Sequence, residues 1–223
     1  MARPIIEGDE YELLPILGDG HRLATVVDVG GHIGGFTIRV KSLWPQATVI
    51  AAEPDPEAAE MFRRNTGHLE RIHFYHAAFV GDSRGREVRF CEAGSRPGSD
   101  GNSASSFVVE TVDDLNPDHS RGMATCVVPA MPLSGVLRER GVSDVDLIKL
   151  DCEGSEAEIL EDLRAAGFLS RVRWIRGEWH HFASIPRIER ALAETHVCNV
   201  ARNPYPWGYF IAHRRWGTDP GGG

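Results

Sequence analysis

Apolar residues along this chain follow two rhythms that take turns: short unbroken runs, and stripes spaced three or four residues apart. Thr25-Val26-Val27-Asp28-Val29 is a β-branched run that stops at Gly30-Gly31, the pattern of a strand buried on both faces. Phe36, Val40 and Leu43/Trp44 follow at helical spacing. Thr48-Val49-Ile50-Ala51-Ala52 is a second buried strand, closed by Glu53-Pro54. Asp55 followed by Pro56 then predicts a capped helix through Met61 and Phe62 toward Asn65. Ile72 to Val80 reads as a third strand.

The middle of the chain breaks the rhythm. Glu87 to Glu92 and Phe107 to Val112 read as strands, but Gly94 to Ser106 between them is Gly/Ser-rich and almost without apolar residues. After it the alternation resumes, with a helix over Pro132 to Arg140 and a buried strand over Val145 to Leu150. Ser155-Glu156-Ala157-Glu158 has the form of a capping box and opens a helix with Ile159, Leu160 and Leu163 inward, stopped by Gly167. Arg171 to Gly177 is the next strand. Ile188, Ala191, Leu192 and Thr195 mark a last helix, and Tyr205 to His213 a closing strand.

Strand–helix alternation of this kind predicts an α/β fold, a mostly parallel, doubly wound sheet of the Rossmann-like kind with a closing C-terminal strand. Residues 1–223 read as one domain, with 1–22 a lead-in, 94–106 a flexible loop or lid, and 218–223 a disordered tail. In such sheets ligands bind beyond the carboxyl ends of the strands, near the switch in strand order. The polar residues that stand out in this sequence all fall at such ends.

Composition narrows the picture. Of the 223 residues, 42% are hydrophobic and 25% charged, enough for a core of ordinary depth without staples. A formal charge of -8 and a pI near 5.7 leave no basic field for nucleic acid. The four cysteines, Cys91, Cys126, Cys152 and Cys198, form no C-x-x-C pair, so they read as free thiols of a reducing compartment. The N-terminus lacks the apolar run of a secretory signal, and no segment has the length to span a bilayer. The expectation is a cytoplasmic protein without nucleic-acid or membrane partners.

The chemistry begins at Asp28-Val29-Gly30-Gly31-His32-Ile33-Gly34-Gly35, a glycine-rich turn between strand and helix. Its glycines let the backbone approach a ligand and present N–H groups at a helix start. Glu53 ends the next strand, nineteen residues past Gly34, where a carboxylate can accept hydrogen bonds from both hydroxyls of a ribose. Tight helix–strand packing is the second and less favoured explanation of such a turn taken alone. Turn and acid at this joint spacing point to an adenosine-containing ligand. A dinucleotide fingerprint needs a glycine where His32 stands, and no tyrosine has a lysine four residues later, as one common dehydrogenase pair requires. S-adenosylmethionine, which has no pyrophosphate, is compatible with that bulk. A nicotinamide oxidoreductase and a non-catalytic adenosine-binding protein are the alternatives.

Three stretches together resemble the FkbM family of methyltransferases: Val27 to Thr37, Ile50 to Pro56 continuing to Asn65, and Asp146-Leu147-Ile148-Lys149-Leu150-Asp151-Cys152-Glu153-Gly154-Ser155-Glu156, the most specific of the set. Ala77-Ala78-Phe79-Val80-Gly81-Asp82 is a weaker match. The resemblance implies the class I methyltransferase fold, S-adenosylmethionine as donor, and methylation of a hydroxyl on a small-molecule acceptor, often in secondary metabolism. It implies a cofactor pocket lined by Gly30, Gly34, Glu53 and Ala78, with Asp28 and His32 in the same stretch. The family usually has asparagine at the place of His32. Asp151 would sit near the methionine end and the acceptor.

Methyl transfer to a hydroxyl needs alignment and a base. Asp151, Glu153, Glu178, His180 and His181 lie at the last strand ends, and Asp151, Glu178 and His180 are the expected catalytic set. Residues 178 and 180 share a face of extended chain. Glu153 has a plain alternative role, favouring the positive start of the following helix. One of His180 and His181 faces away, and Lys149 pairs with an acid or snorkels. The remaining histidines read as surface or structural. Tyr205, Trp207, Tyr209 and Phe210 read as core. Mg²⁺ held by carboxylates and water is a minority alternative, since no dense acidic triplet is visible in the sequence.

Overall fold

The computed structural model describes residues 9, 11–81, 87–91, 107–109 and 125–215. Its central sheet is built from β1 (Thr25–Val29), β2 (Thr48–Ala52), β3 (Ile72–Tyr75), β8 (Val145–Leu150), β9 (Val172–Trp179), β10 (His196–Val200) and β11 (Gly208–Arg214). They lie in the order β10-β11-β9-β8-β1-β2-β3. The run from β3 to β9 is parallel, and β11 inserts antiparallel between β9 and β10. The predicted doubly wound sheet with a closing strand is thus what the chain adopts. Strand order reverses at β1 and β8, so the crevice beyond their carboxyl ends is where such a sheet receives a ligand.

Both faces are covered, and residues sort between them with the strand period of two. Val27, Val29, Ile50, Ile148, Leu150 and Ile175 pack with α4 (Leu133–Glu139), α5 (Glu156–Ala165) and α6 (Ile185–Leu192). Val26, Val49, Ala51 and Leu147 pack on the other face with α2 (Gly35–Leu43), Phe62 of α3 (Pro56–Thr66) and α1 (Leu13–Gly18). On that second face the same parity continues, at the carboxyl ends, into Asp28, Lys149, Arg176 and Glu178.

Several boundaries differ from the sequence reading. Ile72 to Val80 is two strands: β3 joins the central sheet, while β4 (Ala78–Val80) turns away into a four-stranded sheet with β7 (Thr125–Pro132), β5 (Glu87–Cys91) and β6 (Phe107–Val109). β7 and β10 were not expected: β7 carries Pro129 and Pro132 within its run, and β10 alternates exposed and inward residues at the sheet's rim. The lead-in contains α1, whose Leu13 and Ile16 are buried with Tyr11. Asp55 caps α3 as predicted, accepting from the Ala58 amide at 2.9 Å. Ser155 makes no cap bond, so the capping box does not form. Its neighbour Glu156 is used in a different way, described below. The loop at 94–106 and the tail at 218–223 lie outside the described residues. Among those described, no helix is long and apolar enough to cross a membrane.

Candidate active site

The turn after β1 is held by its neighbours on both sides. The Gly30 and Gly31 amides donate to the carbonyl of Ala52, at 3.1 and 2.9 Å. Gly30 adopts φ 74°, and a Cβ there would lie 1.8 Å from the carbonyl oxygen of Asp151. Only glycine fits where β1 and β8 end so close together. His32 is left-handed at φ 46°, which turns its amide onto Glu53 Oε2 at 2.7 Å. The Asp55 amide donates to the other carboxylate oxygen at 2.8 Å. Glu53 is 6% exposed, and burial lifts its carboxyl to about 7 even against these two bonds. Each oxygen retains a lone pair for a further donor.

Behind the turn lies a buried ionic group. Asp28 and Lys149 are cross-strand partners in register. Lys149 Nζ donates to the carbonyls of Val29 and Gly30 and stands 3.5 Å from Asp28 and 3.6 Å from Asp151. Burial alone would lower the Lys149 ammonium, but Asp151, Asp28 and Glu53 outweigh it and raise it. Asp28 also accepts from the Thr37 hydroxyl at 2.7 Å. Tyr11, from the N-terminal segment, donates its hydroxyl to Asp151 at 3.0 Å and lays its ring edge-on against Phe36, with Lys149 Nζ 5.7 Å above it.

The far end of the crevice gathers carboxylates around one imidazole. His180 Nδ1 bonds Glu156 Oε1 at 2.7 Å. Its Nε2 lies 3.7 Å from Asp151, 3.6 Å from Glu153 and 3.7 Å from Glu178. The same Glu156 oxygen accepts from the amides of Cys152 and Gly154, so one fully buried carboxylate shapes the turn after β8 and orients the ring. That turn holds Glu153 left-handed, at φ 57°. Burial raises the Glu153 carboxyl to about 7. Burial would lower His180, but the hydrogen bond and charge of Glu156, then Glu153 and Asp151, push it up to about 9.

These shifts set a pH dependence of stability. A histidine raised on folding contributes fully below its unfolded value, near 6.5, and that contribution is lost as pH rises through about 9. The span corresponds to about 3 kcal/mol at most. Glu53 and Glu153, raised from 4.5 to about 7, add losses of the same sign at lower pH. Urea unfolding of wild type and His180→Asn at pH 7 and 9 isolates the histidine: the wild type should lose more stability than the variant. Equal losses would show that His180 is not held protonated.

Of the residues singled out in the sequence, Asp151, Glu178 and His180 come together, and Gly30, Gly34, His32 and Glu53 form a second group at the ends of β1 and β2. Asp28 is wholly buried against Thr37 and Lys149, behind the turn. The Ala78 side chain packs in the smaller sheet's core, leaving only its backbone for a ligand. The His32 side chain is exposed. His181 is exposed and His180 inward. The acids are not sparse, since the fold collects four around His180. Of the C-terminal aromatics only Phe210 is core, while Tyr205 and Trp207 are 62% and 46% exposed. Tyr11 and Glu156 escaped the sequence reading. An S-x-x-E pattern masked Glu156, and nothing in the local sequence marks Tyr11.

Comparison with known proteins bears on this site. The family model described as "Methyltransferase FkbM domain" matches residues 28–198. "Methyltransferase 1" of Beauveria bassiana is 30% identical over 161 residues, covering 69% of this chain and 62% of that protein. The "31-O-demethyl-FK506 methyltransferase FkbM" of Streptomyces tacrolimicus is 28% identical over 196 residues, 77% of this chain and 65% of its own length. The chain therefore spans less than two thirds of the length of either relative. Among solved structures, "Human methyltransferase 10 domain containing protein" superposes with a TM-score of 0.51 at 11% identity, covering 95% of this chain and 82% of that one. That likeness concerns the fold alone.

Proposed function

This chain belongs to the FkbM methyltransferase family, and from that membership we propose that it moves a methyl group from S-adenosylmethionine to a hydroxyl of a small molecule. The class I methyltransferase fold and the enzyme class follow from the family and the sheet topology. The donor, the acceptor atom and the residue roles are our reading. The observation that carries it is the pairing of two groups at one sheet edge. A buried carboxylate with free lone pairs, Glu53, stands beside a glycine turn, and an oriented imidazole, His180, lies across Asp151 from it.

The residues fit the donor. Glu53 would accept the ribose hydroxyls, and Gly30 and Gly31 would let the backbone pass close beneath the adenosine, while the exposed His32 side chain projects from the same turn. When bound, the donor supplies an electrophilic methyl on a sulfonium. The rest falls to the chain. Asp151 and Glu178 would present negative charge that favours the sulfonium. His180 in its neutral form takes the hydroxyl proton through Nε2, while Glu156 holds Nδ1–H and stabilises the imidazolium that results.

A divalent cation is a second reading, favoured by one observation: Asp151, Glu178 and His180 each offer a ligand atom within 4.8 Å of the others. Glu156 behind His180 is then the carboxylate that fixes a metal-binding imidazole. A cation there would polarise the hydroxyl and stabilise the alkoxide.

Calorimetry with S-adenosylhomocysteine tests the donor site. Glu53→Ala should weaken binding by roughly 1–3 kcal/mol, the scale of charged hydrogen bonds. Ribose hydroxyls bond the ionised carboxylate, whose carboxyl stands at about 7 in the free protein. Wild-type affinity should therefore fall as pH drops below 7, and in the variant it should not. An unchanged affinity in Glu53→Ala would remove Glu53 from the site.

A further inference from the structure

The exposed aromatics at the start of β11 have no role in the reaction as described, yet the sheet carries them to its chemical end. β11 runs antiparallel to β9, with Tyr209 opposite Glu178 and Gly208 opposite Trp179. Trp207 immediately precedes Gly208 and His180 immediately follows Trp179, so both leave the sheet at this same end of the strand pair. Paired residues of antiparallel strands project to the same face, so Tyr209 shares the face of Glu178, and Glu178 shares that of His180. The Trp207 ring meets Tyr209 edge-on, 6.1 Å between centroids, which puts Trp207 on this face as well. Tyr205 extends the row, its ring 6.4 Å from Trp207 and 26° from parallel.

The segment is anchored. Trp179 Nε1 donates to the carbonyl of Ala201, and the Tyr205 amide donates to Asn203 Oδ1. A Cβ on Gly208 would lie 2.8 Å from the Trp179 ring and 2.9 Å from Asn203 Nδ2. The aromatic row is therefore fixed to the residue that precedes His180.

We propose that Tyr205 and Trp207 form the acceptor subsite, and that the acceptor is a neutral polyhydroxylated ring, a glycosyl residue, stacked by its C–H face on Trp207 with its hydroxyl edge toward His180 and Glu178. This rests on the methyltransferase reading above. Two observations choose the class. Two large aromatics exposed together select an apolar face. The carboxylates of Asp151, Glu153 and Glu178, with side chains 28%, 29% and 15% exposed, surround His180 beyond the end of β9. A purely apolar ring would desolvate them with no hydrogen bonds in return. An anionic acceptor would meet the charges of Asp151, Glu156 and Glu178, which outnumber the single His180 imidazolium among them. A ring with one C–H face and several hydroxyls satisfies both sides.

Saturation-transfer NMR on the full chain tests this, using a panel of methyl pyranosides, the matching uronates and acyclic alditols, each with and without S-adenosylhomocysteine. Neutral pyranosides should receive saturation at ring C–H protons. Trp207→Ala should weaken that binding about tenfold and Trp207→Phe should largely retain it, with S-adenosylhomocysteine affinity unchanged in both. In turnover, the Trp207→Ala loss should appear in KM for the glycoside and not in kcat. The proposal is overturned if no pyranoside binds, if uronates bind as well as neutral rings, or if Trp207→Ala binds like wild type. Failure of S-adenosylhomocysteine itself to bind wild type would instead count against the donor reading.

Discussion

Replacing His180 with alanine is expected to lower turnover by roughly 10²–10⁴ while leaving S-adenosylhomocysteine affinity nearly intact. His180 sits at the acceptor end, beyond Asp151 from the Glu53 cradle, so the donor should not register its loss. The pH profile separates a base from a structural residue. The imidazole is held near 9 by Glu156, Glu153 and Asp151 against the opposing effect of burial, so the neutral form is a small fraction at pH 7. Wild-type kcat/KM should then climb about tenfold per pH unit toward 9, and the variant should lack that limb. Chelator supplies the second axis. If a cation bound by Asp151, Glu178 and His180 polarises the hydroxyl, chelation abolishes wild-type activity and Mg²⁺ restores it. Full activity in His180→Ala that chelator leaves untouched would defeat both readings and move the base to Glu153 or His181.

The largest stability effect is expected at Lys149. Lys149→Met removes the cation from a site where Asp28 is wholly buried and Asp151 lies 3.6 Å away. Breaking a buried ion pair from one side costs about 3–5 kcal/mol, because the remaining charge has nowhere to go. The loss includes the two carbonyls that Lys149 ties down, so the turn should loosen and donor affinity fall with it. Lys149→Met combined with Asp28→Asn should recover part of the stability, since the double change removes the wholly buried Asp28 charge and leaves only the partly exposed Asp151 without the lysine. Urea denaturation measures all three. A single variant within about 1 kcal/mol of wild type, on the scale of ordinary substitutions, would mean that Asp28 finds another partner or a proton.

Much of this was legible in the chain itself. β1, β2 and β8 are unbroken apolar runs, because a parallel strand is buried on both faces and has no solvent side to mark. Gly30 and Glu53 announce themselves by type and spacing, because a backbone approach that tight admits no other residue at Gly30 and few carboxylates end a buried strand. The α/β alternation with its closing strand, and the candidates Asp151, Glu178 and His180, follow from those local facts. What the sequence could not supply is everything that depends on long-range pairing. Tyr11 reaches Asp151 across 140 residues, and Glu156 reaches His180 across 24. Neither contact has a periodicity to betray it. Continuous apolar strands also hid the parity that sends Asp28, Lys149, Arg176 and Glu178 to the face beneath Tyr11. Asp151, Glu153 and Glu156 lie within six residues of chain, but Glu178 and His180 joined them only when β8 and β9 lay side by side. Tyr205 and Trp207, apolar enough to pass for core, came to rest at the surface because β11 starts where β9 ends. Local chemistry is written in residue types, but the charge and exposure of a site are set by which strands become neighbours.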